Sequence, residues 1–353
     1  MQKKNITVAY AVAVFAYLYA GTVVRSPFYG TGNPILAYLV TSAALLAYAV
    51  AAVTLFSRRS DIGTREPAGL ISCVVAALAC VSAGAFAEEY VGSLGGFSAA
   101  YGTPFAAVCA AAAMLFCGVY AASRGRLCVA GFSRLIFWLF VVWTAAGFFA
   151  FFSTGRVFMP ESPFVNLAKT NWTALAGETA YVCLDLTFFI VVLTDRESET
   201  VRAVAPRSFL YGTLAFVLLS GLNLMKNLLL FGEDLAAASG SPDLAAIRLV
   251  PLFDLPEISV LVNTFACALK TAVYACAALF VLKNALGERY RSYPACLAAF
   301  VLAGGSFAVL YGLRGGGNLP DAAENTILFG LILAALLCFV LYSVPIKRPK
   351  KTE

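Results

Sequence analysis

Long apolar runs alternate with short, mostly polar gaps along the whole chain. Ten of these runs are long enough to cross a bilayer, for which a helix needs about 20 residues. They are 6–24, 35–56, 68–87, 105–122, 135–152, 174–194, 209–230, 258–282, 295–313 and 326–344. The pattern predicts an all-α polytopic membrane protein with ten transmembrane helices and a single integral membrane domain, 1–353. The gap at 231–257 carries Gly, Ser, Pro and acidic residues and is long enough for short helices that cap one mouth of the bundle.

The charges in the gaps set the orientation. With the amino terminus in the cytoplasm, the inside segments hold Lys3 and Lys4; Arg58, Arg59 and Arg65; Arg124, Arg126 and Arg134; Arg196, Arg202 and Arg207; Lys283, Arg289 and Arg291; and Lys347, Arg348, Lys350 and Lys351. That is eighteen of the 25 basic residues. The outside segments hold Arg25, Arg156, Lys169, Arg248 and Arg314, while Lys226 and Lys270 lie within spans. Positive charge gathers on the cytoplasmic side of membrane proteins, so both termini are expected inside.

Composition agrees: 61% of residues are hydrophobic, 12% are charged and the mean hydropathy is +0.84. A net charge of +6 carried by the inside loops and the basic tail reads as topology and contact with anionic lipid, not as a nucleic-acid surface. The ten cysteines lie in or beside apolar runs without a CxxC pair, as small packing residues do. Histidine is absent. Its absence removes the usual general base and the commonest zinc ligand, so neither an enzyme nor a bound metal or other cofactor is expected.

Ten spans divide into halves of five, and an odd number per half requires any repeat between them to be inverted, here 1–152 and 153–344. Inverted repeats are the architecture of many secondary transporters, whose sites lie where the first helix of each half is broken. The corresponding segments are Tyr19-Ala20-Gly21-Thr22 running to Arg25 and Pro27, and Ala176-Gly177-Glu178-Thr179. Unwinding at Gly21 and Gly177 would expose backbone amides and carbonyls to a ligand; the alternative is that both are close-packing glycines.

Ionisable residues inside spans are costly and mark functional positions. Glu178 and Asp185, seven residues apart, share one face of the sixth span. Lys270, near the middle of the eighth, reaches neither interface and must be paired or neutral. Lys226, near the outer end of the seventh, is expected to snorkel to the surface. Arg25 is either an interfacial anchor or a bidentate partner for a substrate carboxylate. Gly21, Thr22, Arg25, Gly177, Glu178 and Thr179 thus form the candidate substrate site, with Asp185 and Lys270 as candidate ion-coupling charges.

The order of local patterns resembles the B subunits of the nutrient germinant receptors of bacterial endospores, members of the amino acid/polyamine/organocation transporter superfamily. The segments concerned are Ala20-Gly21-Thr22 with Pro27, Tyr101-Gly102-Thr103-Pro104, Gly118-Val119-Tyr120 running into Ser123-Arg124-Gly125, Phe132-Ser133-Arg134, Ala176-Gly177-Glu178-Thr179, and Pro256-Glu257 followed by Lys270. The resemblance implies an inverted five-plus-five repeat of the leucine-transporter kind. It also implies an amino-acid germinant bound between the first and sixth helices, and a receptor completed by a membrane-protein subunit and a lipoprotein subunit in a bacterial cytoplasmic or inner spore membrane. The same residues are compatible with a proton-coupled transporter of amino acids or amines, and with a ligand-free structural subunit.

Overall fold

The computed structural model describes residues 2–25, 28–58, 69–95, 104–155, 157–158, 167–193, 199–238, 242–249, 256–286 and 291–315. Among these residues ten α-helices follow one another: α1 (Gln2–Arg25), α2 (Pro34–Arg58), α3 (Gly69–Gly95), α4 (Pro104–Ser123), α5 (Arg126–Thr154), α6 (Trp172–Leu193), α7 (Glu199–Ala238), the short α8 (Pro242–Arg248), α9 (Pro256–Leu286) and α10 (Ser292–Gly315). There is no strand among the described residues. A chain in lipid must satisfy its backbone hydrogen bonds within itself, which a helix does locally.

Among the described residues, seven stretches are long and apolar enough to cross a membrane: Ile6–Val24, Pro34–Ala51, Val74–Gly92, Cys128–Thr154, Arg207–Ala236, Val260–Lys283 and Ser292–Leu313. In α4 the apolar stretch is shorter, Val108–Ser123. Nine of the predicted spans coincide with long helices; the tenth, 326–344, lies outside the described residues. The architecture is that of an all-α polytopic membrane protein. Large apolar side chains cover its outside, such as Leu135, Trp138, Val142 and Phe149 on α5 and Leu214, Leu218 and Leu222 on α7, a surface suited to acyl chains and not to water.

Helix α9 is the axle of the bundle, packing against α1, α3, α4, α5, α6 and α10. Every residue from Ala266 to Leu279 is buried, as expected of a helix apolar all round. Helix α1 lies beside it, against α5 and α7 as well as α9. Bare glycines permit close approach of the helices. A β-carbon at Gly212 of α7 would meet the Ala11 carbonyl oxygen of α1 at 2.6 Å, and one at Gly118 of α4 would meet the Thr271 carbonyl carbon of α9 at 2.9 Å.

Several boundaries differ from the predicted ones. Helix α3 continues past residue 87 and brings Glu88 into a buried position. Helix α7 runs on to Ala238 but is broken at Gly232, whose φ of 75° belongs to the left-handed region that glycine tolerates. Helix α8 packs on α5 and α7, so the expected short helix in the 231–257 gap is present.

Asparagines start α2 and α6. The Asn33 side-chain oxygen accepts from the Leu36 amide at 3.1 Å, and the Asn171 side-chain oxygen accepts from the Ala174 amide at 3.2 Å, each covering an otherwise unsatisfied first-turn donor. The Asn171 amide donates to the Thr31 carbonyl at 2.8 Å, which ties the two connections together.

Candidate functional site

Asp185 of α6 and Lys270 of α9 meet in the interior as a hydrogen-bonded ion pair, Nζ to Oδ2. Both are buried, Lys270 completely. The other carboxylate oxygen, Oδ1, accepts hydrogen bonds from the hydroxyl of Tyr274 and, at 3.3 Å, from that of Tyr17. Tyr181 lies 3.3 Å from Tyr274, hydroxyl to hydroxyl. The Lys270 ammonium also stands 4.1 Å from the centre of the Tyr17 ring and 5.6 Å from that of Phe86 on α3. A buried charge is tolerable only when it is paired and its remaining valences are satisfied, and here ring faces and phenols complete the pair.

Helical spacing builds this centre. Tyr181 and Asp185, Lys270 and Tyr274, and Tyr17 and Gly21 are each four residues apart, so each pair shares a face of its helix. A β-carbon at Gly21 would lie 3.0 Å from Lys270 Nζ and 3.6 Å from Asp185 Oδ2. The glycine therefore makes room for the ion pair without unwinding.

Of the residues expected at the site, Gly21, Asp185 and Lys270 are brought together. The hydroxyls of Thr22 and Thr179 find partners elsewhere. The hydroxyl of Thr22 donates to the Tyr19 carbonyl of its own helix at 2.8 Å. Thr179 meets Thr41 of α2 at 3.0 Å, hydroxyl to hydroxyl. Gly177 is buried, yet a β-carbon there would meet nothing within 4 Å, so it is not a close-packing glycine. Glu178 is half-buried. Arg25 ends α1, and its side chain lies outside the described residues.

The expected breaks at Gly21 and Gly177 are not present: α1 and α6 continue through them as α-helix. The adjoining alanines and tyrosines leave the helical hydrogen-bond ladder intact, and glycine permits unwinding without requiring it.

A second polar cluster lies where α1, α5, α7 and α8 meet. Lys226 of α7 donates to Asp243 of α8 at 2.9 Å and to Asn223 at 3.0 Å. The Asp243 carboxylate also accepts from the side-chain amides of Asn227, at 2.9 Å, and Asn223, at 3.4 Å. Asn223 donates to the Tyr19 hydroxyl, which is also 2.8 Å from the Thr144 hydroxyl, and Asn227 donates to the Tyr29 hydroxyl at 3.1 Å. Burial first, then the Asp243 charge, pushes the Tyr29 phenol above its ordinary pKa, so it stays a neutral partner. The Lys226 ammonium stands 5.6 Å from the Phe148 ring centre. Lys226 does not snorkel as its position in the span suggested; its carboxylate partner comes to it on α8.

Sequence reasoning passed over Tyr17, Tyr181 and Tyr274, though their four-residue spacing from Gly21, Asp185 and Lys270 was a readable signal. Asn223, Asn227 and Asp243 gave a weaker one. No protein-family model matches the chain, and no curated protein is significantly similar to it.

Proposed function

We propose that this chain is a transporter-like membrane subunit that binds a small nutrient, an amino acid, beside the Lys270–Asp185 centre and signals spore germination with partner subunits. In this reading the receptor also contains a membrane-protein and a lipoprotein subunit, and both termini face the cytoplasm. The observation that carries it is the buried ion pair held between α6 and α9 and roofed by Tyr17 and Gly21 of α1. A charge pair spanning separate helices has different energies in different helix arrangements, which is what a ligand-driven change of state requires.

The helix contacts fit a two-fold repeat, whose inversion rests on the odd number of helices expected in each half. Exchanging α1 with α6, α2 with α7, α3 with α9 and α4 with α10 turns the α1–α7 contact into α6–α2, α4–α9 into α10–α3, α3–α4 into α9–α10, and α1–α3 into α6–α9; all eight pairs are in contact. The α3–α9, α2–α7 and α4–α10 contacts map onto themselves. The chief departure is α1 against α9, which has no comparable contact of α6 with α3, and that is where Tyr17 and Gly21 meet Lys270.

A second reading, proton-coupled transport of an amino acid or amine, is favoured by the same pair, since a carboxylate and an ammonium joined by a hydrogen bond can gain and lose a proton together as access alternates. Uptake and binding of labelled amino acids by proteoliposomes containing the chain alone separate these readings. Saturable binding without accumulation supports the sensor. Accumulation dissipated by an ionophore supports transport, and neither binding nor uptake supports a ligand-free structural subunit.

A further inference from the structure

We propose that the donor cluster formed by Lys226, Asn223 and Asn227 on α7 is a binding site for small carboxylates, occupied in this state by the chain's own Asp243. The site is separate from the Lys270–Asp185 centre and does not rest on the function proposed above.

The two halves of this contact are built differently. The donors are core residues: Lys226, Asn223 and Asn227 lie at spacings of three and four on one face of α7 and are all at least nine-tenths buried. Their surroundings hold them. Tyr19 and Tyr29 accept from the two amides, and Phe148 stands beside the ammonium. The carboxylate is the accessible member, with its side chain 21% exposed against 2% for Lys226. It projects from a seven-residue helix that follows the break at Gly232.

The energetics give this asymmetry a direction. Removing the carboxylate leaves a buried ammonium without compensation, a costly state that favours any anion able to take its place. The geometry selects among anions: one ammonium and two side-chain amides converge on two oxygens of a single carboxylate. Among the described residues Asn227 Oδ1 is buried without a hydrogen-bond partner. It offers an acceptor that Asp243 cannot use and that the N–H or O–H of an amino or hydroxy acid can. A ligand carboxylate entering here displaces Asp243 and releases α8 from α7.

Chemical rescue tests the site. Asp243→Ala in the full chain, in detergent or nanodiscs, is expected to lower the unfolding temperature, and sodium acetate is expected to restore it in part where sodium chloride of equal ionic strength does not. Adding Lys226→Met is expected to abolish the acetate effect. No acetate effect on Asp243→Ala, or an equal effect on the double variant, overturns the proposal. If Asp243→Ala does not fold, the same comparison is made with Asp243→Ser, which also vacates the place of the carboxylate. Hydrogen exchange on the unaltered protein gives an independent readout: the amides of 243–248 are expected to exchange faster with acetate than with chloride, and unchanged exchange counts against displacement.

Discussion

Lys270 of α9 and Asp185 of α6 are joined by a direct hydrogen bond although 85 residues separate them, and neither is open to solvent. The bond makes the relative position of two helices depend on a single proton-bearing contact. Helix α1 completes the arrangement with a phenol on one carboxylate oxygen and a glycine against the ammonium. Three helices therefore share one electrostatic centre, and a shift of any of them has to re-solvate or re-pair two charges.

Breaking this pair from one side is expected to cost far more than removing it whole. Lys270→Met leaves an unpaired buried carboxylate and Asp185→Asn an unpaired ammonium, each costing about 3–5 kcal/mol. The double variant removes both charges and should recover much of the loss. Thermal unfolding of the three variants in detergent forms the cycle; strict additivity would mean that the charges do not interact. A double variant that is stable but no longer binds ligand marks the pair as functional, and unaltered binding marks it as structural.

The two phenols on Asp185 should contribute unequally. Tyr274 bonds the carboxylate from the same helix as Lys270, whereas Tyr17 does so at 3.3 Å from α1. Tyr274→Phe is expected to cost about 1.5–3 kcal/mol, the range for a hydrogen bond to a charged group, and Tyr17→Phe less. Because the Tyr17→Phe ring still faces the Lys270 ammonium, its cation–π contact should survive. Unfolding temperatures of the two single variants give the order directly.

The helices and the need to pair Lys270 were legible in the sequence because both follow from the cost of polar groups in lipid. Nine runs lie on helices, although several of these, α7 above all, extend beyond the apolar run. Partner choice was not legible. Asp185 and Glu178 share a face of α6, and the carboxylate that forms the ion pair with Lys270 is that of Asp185, because which turn of α6 lies level with Lys270 is decided by tertiary packing. Lys226 misled for a related reason: a lysine near a span end ordinarily reaches water, but here α8 folds back and supplies a carboxylate. Gly21 and Gly177 looked alike in sequence and differ in structure, one against an ammonium and the other against nothing within 4 Å.

The close helix crossings should be the positions least tolerant of a methyl group. Gly212→Ala would drive a β-carbon into the Ala11 carbonyl of α1, and Gly118→Ala into the Thr271 backbone of α9. Both substitutions should destabilise the fold by about 1–3 kcal/mol of overpacking strain, read as a lower unfolding temperature. Gly131→Ala and Gly304→Ala meet nothing within 4 Å and should be neutral or mildly stabilising. If all four behave alike, the crossings are looser than this geometry requires.

Gly177 allows stability and function to be separated at one position. It sits inside continuous helix with room for a methyl group, so Gly177→Ala should leave the unfolding temperature unchanged or raise it, alanine being favoured in a helix by about 1 kcal/mol. If ligand binding requires α6 to unwind at this point, the same substitution disfavours the binding-competent state by a similar amount, which corresponds to roughly a fivefold loss of apparent affinity. The expected result is a stable protein with weakened amino-acid binding. Gly21→Ala should behave differently, because its methyl group would press on the Lys270 ammonium at 3.0 Å and disturb the pair even where α1 stays helical. Unfolding temperature and saturation binding, measured on both variants, distinguish a helix that must open from one that only makes room; undiminished binding by Gly177→Ala would establish that α6 works as the unbroken helix found here.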